Sequence, residues 1–476
     1  MKIPSTTFEQ LSSARLRVLL FLVLWFAYGA AINSSNLLEF DLQQIGVEAM
    51  VERGHFYLEG SPSPQMQTKG DVFEYRGHKY AAKQPGQFMA GALVYFLLHK
   101  LGLNYVNHYL LTAALVTFFT TSLVLAASGV ALFEIACALN AARRQLLHPT
   151  RDARAGTPLF WPLAATLSYA LATTAFAYSG IAHHDALATG YLVIAFYFIF
   201  QLSRENVTKR ASWLQAAGAG LFLGLTITTS MLPFFMVILC VLYFLWLRRF
   251  KLLPAFFVAM LVGLLPLFIY DAVSFGNPFL LPNVAGAAMF ADTFFHFDPK
   301  NLGDKLVSYA SAVAAYVPVI AVGLFGFSYY PREIKRAPAF LMVLALMIAL
   351  AAYVFNISSD GDCQFGPRYL LPAMPFACLG IAGYSYLSTA SERRLAALAV
   401  VVAGTVSFVV NLVGALRGAM NCPHGQNAFW NHVVALQNGE GRSYPLALWL
   451  LLPLTICITL FVLNIAAQRR RAEARP

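Results

Sequence analysis

Four short polar groups in this 476-residue chain could do chemistry. Glu39-Phe40-Asp41 follows the first apolar run, and Tyr80-Ala81-Ala82-Lys83-Gln84-Pro85-Gly86 comes just before the hydrophobic chain resumes. His183-His184-Asp185 separates two later apolar runs, and Gly366-Pro367-Arg368-Tyr369 closes a turn rich in glycine and aspartate. A carboxylate such as Asp41 or Asp185 can take a proton from a hydroxyl within hydrogen-bond reach. Lys83, and the planar guanidinium of Arg368, suit an anion and a phosphate in particular. Glu39, Tyr80, His183 and His184 offer further polar contacts to a substrate. Adjacent histidines seldom share one ion without further ligands, and no metalloprotein spacing accompanies these two. No metal ligand set is therefore assigned, and a divalent cation is left optional.

Each group also has a purely structural use. Asp41 and Asp185 both precede apolar-periodic helices, where aspartate is a favoured N-cap, and the base and cap roles are compatible. Arg368 can pair with Asp360 or Asp362, Arg76 and Lys79 suit headgroup depth, and Asp271, before Phe275-Gly276-Asn277-Pro278, reads as an interfacial cap.

The elements that must position these groups are helices in a membrane. The chain is 59% hydrophobic and 12% charged, with mean hydropathy +0.62; that charged share is about half the soluble norm. A net charge of +11 invites a nucleic-acid reading. The basic residues instead fall in short clusters between apolar runs, with no continuous basic footprint, which excludes nucleic acid as a partner. Spans need about 20 apolar residues, and about twelve segments qualify: 16–33, 106–139, 159–180, 184–203, 212–230, 231–247, 252–271, 306–328, 337–356, 369–388, 394–415 and 445–466. Assigning both termini and the alternate basic loops to the cytoplasm collects about two-thirds of the lysines and arginines there. The expectation is an all-α polytopic bundle forming a single integral-membrane domain over residues 1–476, multi-pass, in a bacterial inner (plasma) membrane. The first apolar run lacks a small-residue cleavage pattern and reads as a retained anchor.

Gln87 to Gly102 is apolar but short, and counting it as a crossing would invert every later loop. It reads instead as an amphipathic surface helix with Phe88, Leu93, Phe96 and Leu97 toward lipid and His99 and Lys100 near its end. Residues 34–105 then form one long outside loop with juxtamembrane helices, on the same side as Asp185 and Arg368. Cys363 and Cys422 also fall outside, where an oxidising compartment would let them pair. The sequons at Asn33, Asn206 and Asn356 carry little information.

Together these features resemble the GT-C superfamily of integral-membrane glycosyltransferases, which includes protein O-mannosyltransferases, aminoarabinose transferases and the RgtA/B/C/D-like group. In such enzymes the first outside loop is long and carries an acidic residue soon after the first span; Asp41 looks like that residue. Tyr80 to Gly86 resembles the proline-containing stretch that opens the next helix, Ser179 to Asp185 the polar turn after the third span, and Gly366 to Tyr369 a turn of some bacterial members. Leu42 stands where many members have a second acidic residue, and Gln84-Pro85 replaces a double proline. The resemblance implies transfer of a sugar from a polyprenyl-phosphate-linked donor to a lipid, glycan or protein acceptor of the cell envelope. It makes Asp41 the base and gives the phosphate to Lys83 or Arg368.

A secondary transporter has a similar span count but keeps paired halves and mid-membrane ionisable groups. An O-antigen-type ligase or polymerase places its large functional loop later. Here the ionisable residues gather at the outer rim, no halves are visible, and the large loop is the first.

Overall fold

The computed structural model describes residues 14–66, 70–147, 159–203, 208–286, 300, 302–357, 364–420 and 427–473. The apolar runs fold as helices, the structure that satisfies every backbone group without water. α1 (Ala14–Ala31) leads into two short helices, α2 (Ser34–Glu39) and α3 (Leu42–Glu48). A two-stranded antiparallel hairpin follows, β1 (Val72–Tyr75) and β2 (His78–Ala81), pairing Val72 with Ala81 and Tyr75 with His78. Arg76 and Gly77 join the strands, both with positive φ, the geometry that matches strand twist in a two-residue turn. This hairpin and an isolated antiparallel bridge between Gln364 and Met420 are the β features within an otherwise helical fold among the described residues. The chain continues as α4 (Gly86–Lys100), α5 (Tyr105–Thr117), α6 (Leu123–Leu147), α7 (Phe160–Ala172) and the single turn α8 (Thr174–Ala177). Then come α9 (His184–Leu202), α10 (Lys209–Thr229), α11 (Phe234–Trp246), α12 (Leu253–Phe275) and α13 (Pro282–Ala285). The last third holds α14 (Leu302–Tyr316), α15 (Val319–Gly326), α16 (Pro338–Val354), α17 (Ala390–Arg417), α18 (Ala428–Gln437) and α19 (Ala447–Glu473).

Among the described residues seven helical stretches are long and apolar enough to cross a membrane, and an eighth arises if α14 and the segment starting at α15, bent by 105°, form one span. The chain is a polytopic membrane protein with fewer straight crossings than the twelve expected. Three of the expected spans are the shorter apolar helices α7, α11 and α16. Proline explains two irregular ones, because it lacks the N–H that continues a helix. Pro318 sits at the α14–α15 break, while Pro372 and Pro375 turn Arg368–Tyr386 into successive 3-10, α and 3-10 turns where 369–388 was expected as one helix.

The expected outside segments gather at one end of the bundle. The Ser34 amide donates to the Ser443 carbonyl, the Asn33 side chain to the Ala415 carbonyl, and the Gln84 side chain to Asn283. At the opposite end Arg17 reaches Glu134 at 3.7 Å and the Tyr386 hydroxyl donates to the Leu139 carbonyl. On α4, Leu93, Phe96 and Leu97 are exposed as expected, with His99 and Lys100 in its last turn. Phe88 departs from expectation: it is buried against Tyr270, in the space that Gly46 leaves by having no side chain.

Within the bundle α10 and α12 approach through glycines. A Cβ on Gly224 would stand 2.9 Å from the Gly263 Cα, and Thr228 donates to the Gly263 carbonyl at 2.7 Å. Close backbone approach at small residues is how helices gain packing energy where lipid removes the hydrophobic drive. Gly224→Leu is expected to cost about 1–3 kcal/mol through overpacking, read as a lowered Tm of the detergent-purified protein, with Gly224→Ala showing a smaller drop.

Candidate active site

A buried polar cluster lies at the loop end of the bundle and is assembled from three separate stretches of chain. His183 precedes α9, and its Nδ1 accepts the Asp185 amide at 3.2 Å. His183 is thus the N-cap of α9 and Asp185 sits in its first turn, which corrects the expectation that Asp185 itself caps. There Asp185 faces the positive end of the helix dipole. Ser230, just beyond α10, donates to Asp185 Oδ1 at 2.7 Å. His184 Nε2 lies 3.5 Å from the same oxygen, and Arg368 Nε lies 3.8 Å from Oδ2. Arg368 also brings a guanidinium nitrogen to 3.2 Å from His183 Nε2 and stacks over the Tyr369 ring at 4.6 Å. Asp185, His183, His184 and Arg368 are all buried. Burial, and after it the neighbouring His184, hold the His183 imidazole well below its ordinary pKa, so it is neutral at pH 7.

The segment expected as the first outside loop, residues 34–105, joins this cluster from two directions. Phe40 stacks on His183 with ring centroids 5.2 Å apart, which brings the chain just before Asp41 against the histidines. Asp41 is buried and occupies the N-cap position of α3, yet its side chain makes no capping bond there. Of its two sequence readings, the structural one is therefore not used. Lys83, also buried, pairs with Asp71 at 3.1 Å and is within electrostatic reach of both histidines, as Asp71 is of Arg368.

Glu39 and Tyr80 go elsewhere. Glu39 is exposed near Arg442 and Glu440. Tyr80 is buried on β2 between Phe73 and Phe275, at the end of α12. Asp271 is no interfacial cap: it is completely buried within α12, whose C-cap is Gly276. Asp360, Asp362, Cys363 and Cys422 lie outside the described residues. Sequence reasoning missed Ser230, an ordinary serine after Thr228-Thr229, for which no local signal exists. It also missed Asp71, whose φ of +33° is a conformation that a non-glycine residue adopts at a cost.

His183, His184 and Asp185 offer ligand atoms all within 4.8 Å of one another, close enough for a cation. Arg368 stands against two of the three. A fixed positive charge at that place disfavours a divalent ion and favours an anion. The residues therefore fit a metal poorly.

No protein-family model and no curated relative matches the chain. Among solved structures it is similar to ArnT from Cupriavidus metallidurans bound to undecaprenyl phosphate, at 16% identity and TM-score 0.48, covering 96% of this chain and 72% of that one. It is also similar to the archaeal oligosaccharyltransferase AglB from Archaeoglobus fulgidus in complex with an inhibitory peptide and a dolichol-phosphate, at 12% identity and TM-score 0.46. That match covers 88% of this chain and 58% of the archaeal one.

Removing one member of a buried ion pair strands the other. Arg368→Ala is expected to destabilise the protein by on the order of 3 kcal/mol, and adding Asp185→Asn should recover much of the lost Tm. A double variant no more stable than Arg368→Ala alone would show that the two side chains do not depend on each other.

Proposed function

We propose that this protein is a glycosyltransferase that moves a sugar from a polyprenyl-phosphate donor to a cell-envelope acceptor at the outer membrane face. The observation that carries this reading is the approach of the first loop, through Phe40 on His183 and Lys83 within electrostatic reach of both histidines, to the buried Asp185–Arg368 cluster at one end of a membrane bundle. A lipid-linked phosphate needs cationic donors at the membrane boundary, and Lys83 and Arg368 are placed to supply them. An acceptor hydroxyl needs a base, and we assign that role to Asp41, a buried carboxylate at the start of α3.

In this mechanism the acceptor oxygen bonds to the anomeric carbon as the bond from that carbon to the phosphate oxygen breaks. The hydroxyl proton passes to Asp41. The bonding electron pair leaves on the phosphate, whose charge Lys83 and Arg368 offset, and polyprenyl phosphate is released. Entry opposite the leaving group inverts the configuration at the sugar. Asp185 has one oxygen on Ser230 and the other toward Arg368. Its part is to hold the guanidinium and the α9 terminus in place. On this reading Glu39, which is exposed, meets an arriving acceptor, while His183 and His184 contribute polar contacts to the substrate. Both termini are cytoplasmic on this reading, in a bacterial plasma membrane.

Asp41→Asn should lower transfer at least about 100-fold, the range for loss of a general base, while the protein stays membrane-inserted. The measurement is transfer of radiolabel from polyprenyl-phosphate sugars to envelope material in membranes carrying either form. Full activity of the variant would remove Asp41 from the mechanism, and uptake of free substrate into proteoliposomes without a covalent product would replace transfer with transport. Sidedness has its own check. In a background lacking Cys363 and Cys422, Glu74→Cys should react with an impermeant maleimide in intact cells, and Lys209→Cys only after permeabilisation.

A further inference from the structure

The outer end of α12 holds three polar groups that the mechanism above leaves unused. Asp271 is completely buried and neither of its carboxylate oxygens meets a hydrogen-bond partner among the described residues; the same holds for the Tyr270 hydroxyl and the Ser274 hydroxyl. Asp271 and Ser274 are three residues apart and Tyr270 and Ser274 four, so all three crowd one end of one helix. Burying a carboxylate without a donor is among the most costly things a fold can do, and an apolar residue would have spared it. A site that keeps such a group keeps it for something that brings donors.

The position of these groups ties them to the proposed reaction. Tyr270 packs edge-on against Phe88 of α4 and Phe56 of the first loop, with ring centroids 5.6 and 5.1 Å apart, and Phe275 meets Tyr80 at 5.3 Å. α4 begins at Gly86, where an added Cβ would stand 2.7 Å from the Thr229 Cα. The next residue, Ser230, holds Asp185. The α12 group and the phosphate-binding cluster therefore flank the first turn of the same helix. Its chemistry is acceptor-rich, with two carboxylate oxygens and two hydroxyls beside aromatic rings. Vicinal hydroxyls of a sugar supply the matching donors, and the C–H face of a sugar ring suits an aromatic wall.

We propose that Asp271, assisted by the Tyr270 and Ser274 hydroxyls, binds two neighbouring hydroxyls of the transferred sugar and so selects the donor. This rests on the glycosyltransferase reading, and the experiment separates the two. Full-length protein in nanodiscs is titrated with farnesyl phosphate alone and with farnesyl-phosphate glucose, mannose and galactose. Binding of bare farnesyl phosphate, weakened by Arg368→Lys, tests the phosphate site. The gain in affinity that a sugar adds tests Asp271.

At least one sugar should bind about tenfold more tightly than farnesyl phosphate, the worth of one good hydrogen bond. Asp271→Asn should erase that gain and leave farnesyl phosphate binding unchanged. Tyr270→Phe and Ser274→Ala each delete one hydroxyl with little change of shape. Each should reduce the sugar gain two- to fivefold, which keeps the question open to measurement if Asp271→Asn does not fold. A sugar gain that survives all three substitutions overturns the proposal, as does bare phosphate binding with no sugar gain in the unaltered protein. A purely structural carboxylate would show itself as a raised Tm in Asp271→Asn with the sugar gain intact, which also overturns it.

Discussion

The pairing of Asp185 with Arg368 is the constraint on which the loop end of this molecule depends. A buried ion pair adds little net stability, because desolvating both charges consumes most of what their attraction returns. Its effect is on specificity. Arg368 can reach Asp185 only if the turn after Gly366 lies over the start of α9, and Ser230 can reach the same carboxylate only if α10 ends at that depth. Three stretches of chain far apart in sequence are thereby set in register by one carboxylate. His183 adds a further condition, since its ring must cap α9 while facing the guanidinium.

The first loop is fitted to this frame by small residues and rings. Gly86 lets the start of α4 touch the end of α10, and Gly46 opens the space that Phe88 fills. Asp71 accepts a left-handed backbone, which aspartate tolerates better than most side chains, and meets Lys83. A strained residue that pairs with a buried cation is the pattern expected where local cost is offset by positioning.

Much of this was legible in the sequence, for physical reasons. Asp41, Lys83, the His183-His184-Asp185 run and Arg368 stand out because charge is expensive in an apolar chain, so each charged residue there invites a question. Their convergence on one end followed from the alternation of basic loops. What was not legible depended on partners distant in sequence. Ser230 looks like any serine at a helix end until α9 lies beside it. Asp271 looked like a cap because sequence shows a helix end without showing what covers it. Phe88 looked lipid-facing because periodicity reports that a helix has an apolar side, while Gly46 and Tyr270 decide which neighbour claims it. Prolines break two of the twelve expected spans into bent or irregular segments, because hydropathy averages over a proline and backbone geometry does not.

On the surface-helix reading of residues 87–102, α4 gives the bilayer itself a part in the site. Its first turn abuts α10 beside the charged cluster, while Leu93, Phe96, Leu97 and Leu101 farther along project outward with no protein over them. Such a helix floats at the depth its leaflet sets. Lateral pressure and acyl-chain packing thus bear directly on where Lys83 and the Gly86 turn come to rest. The lipid is then a mechanical element of the protein, and the composition of the membrane becomes a variable of the site's geometry on the same footing as a side chain.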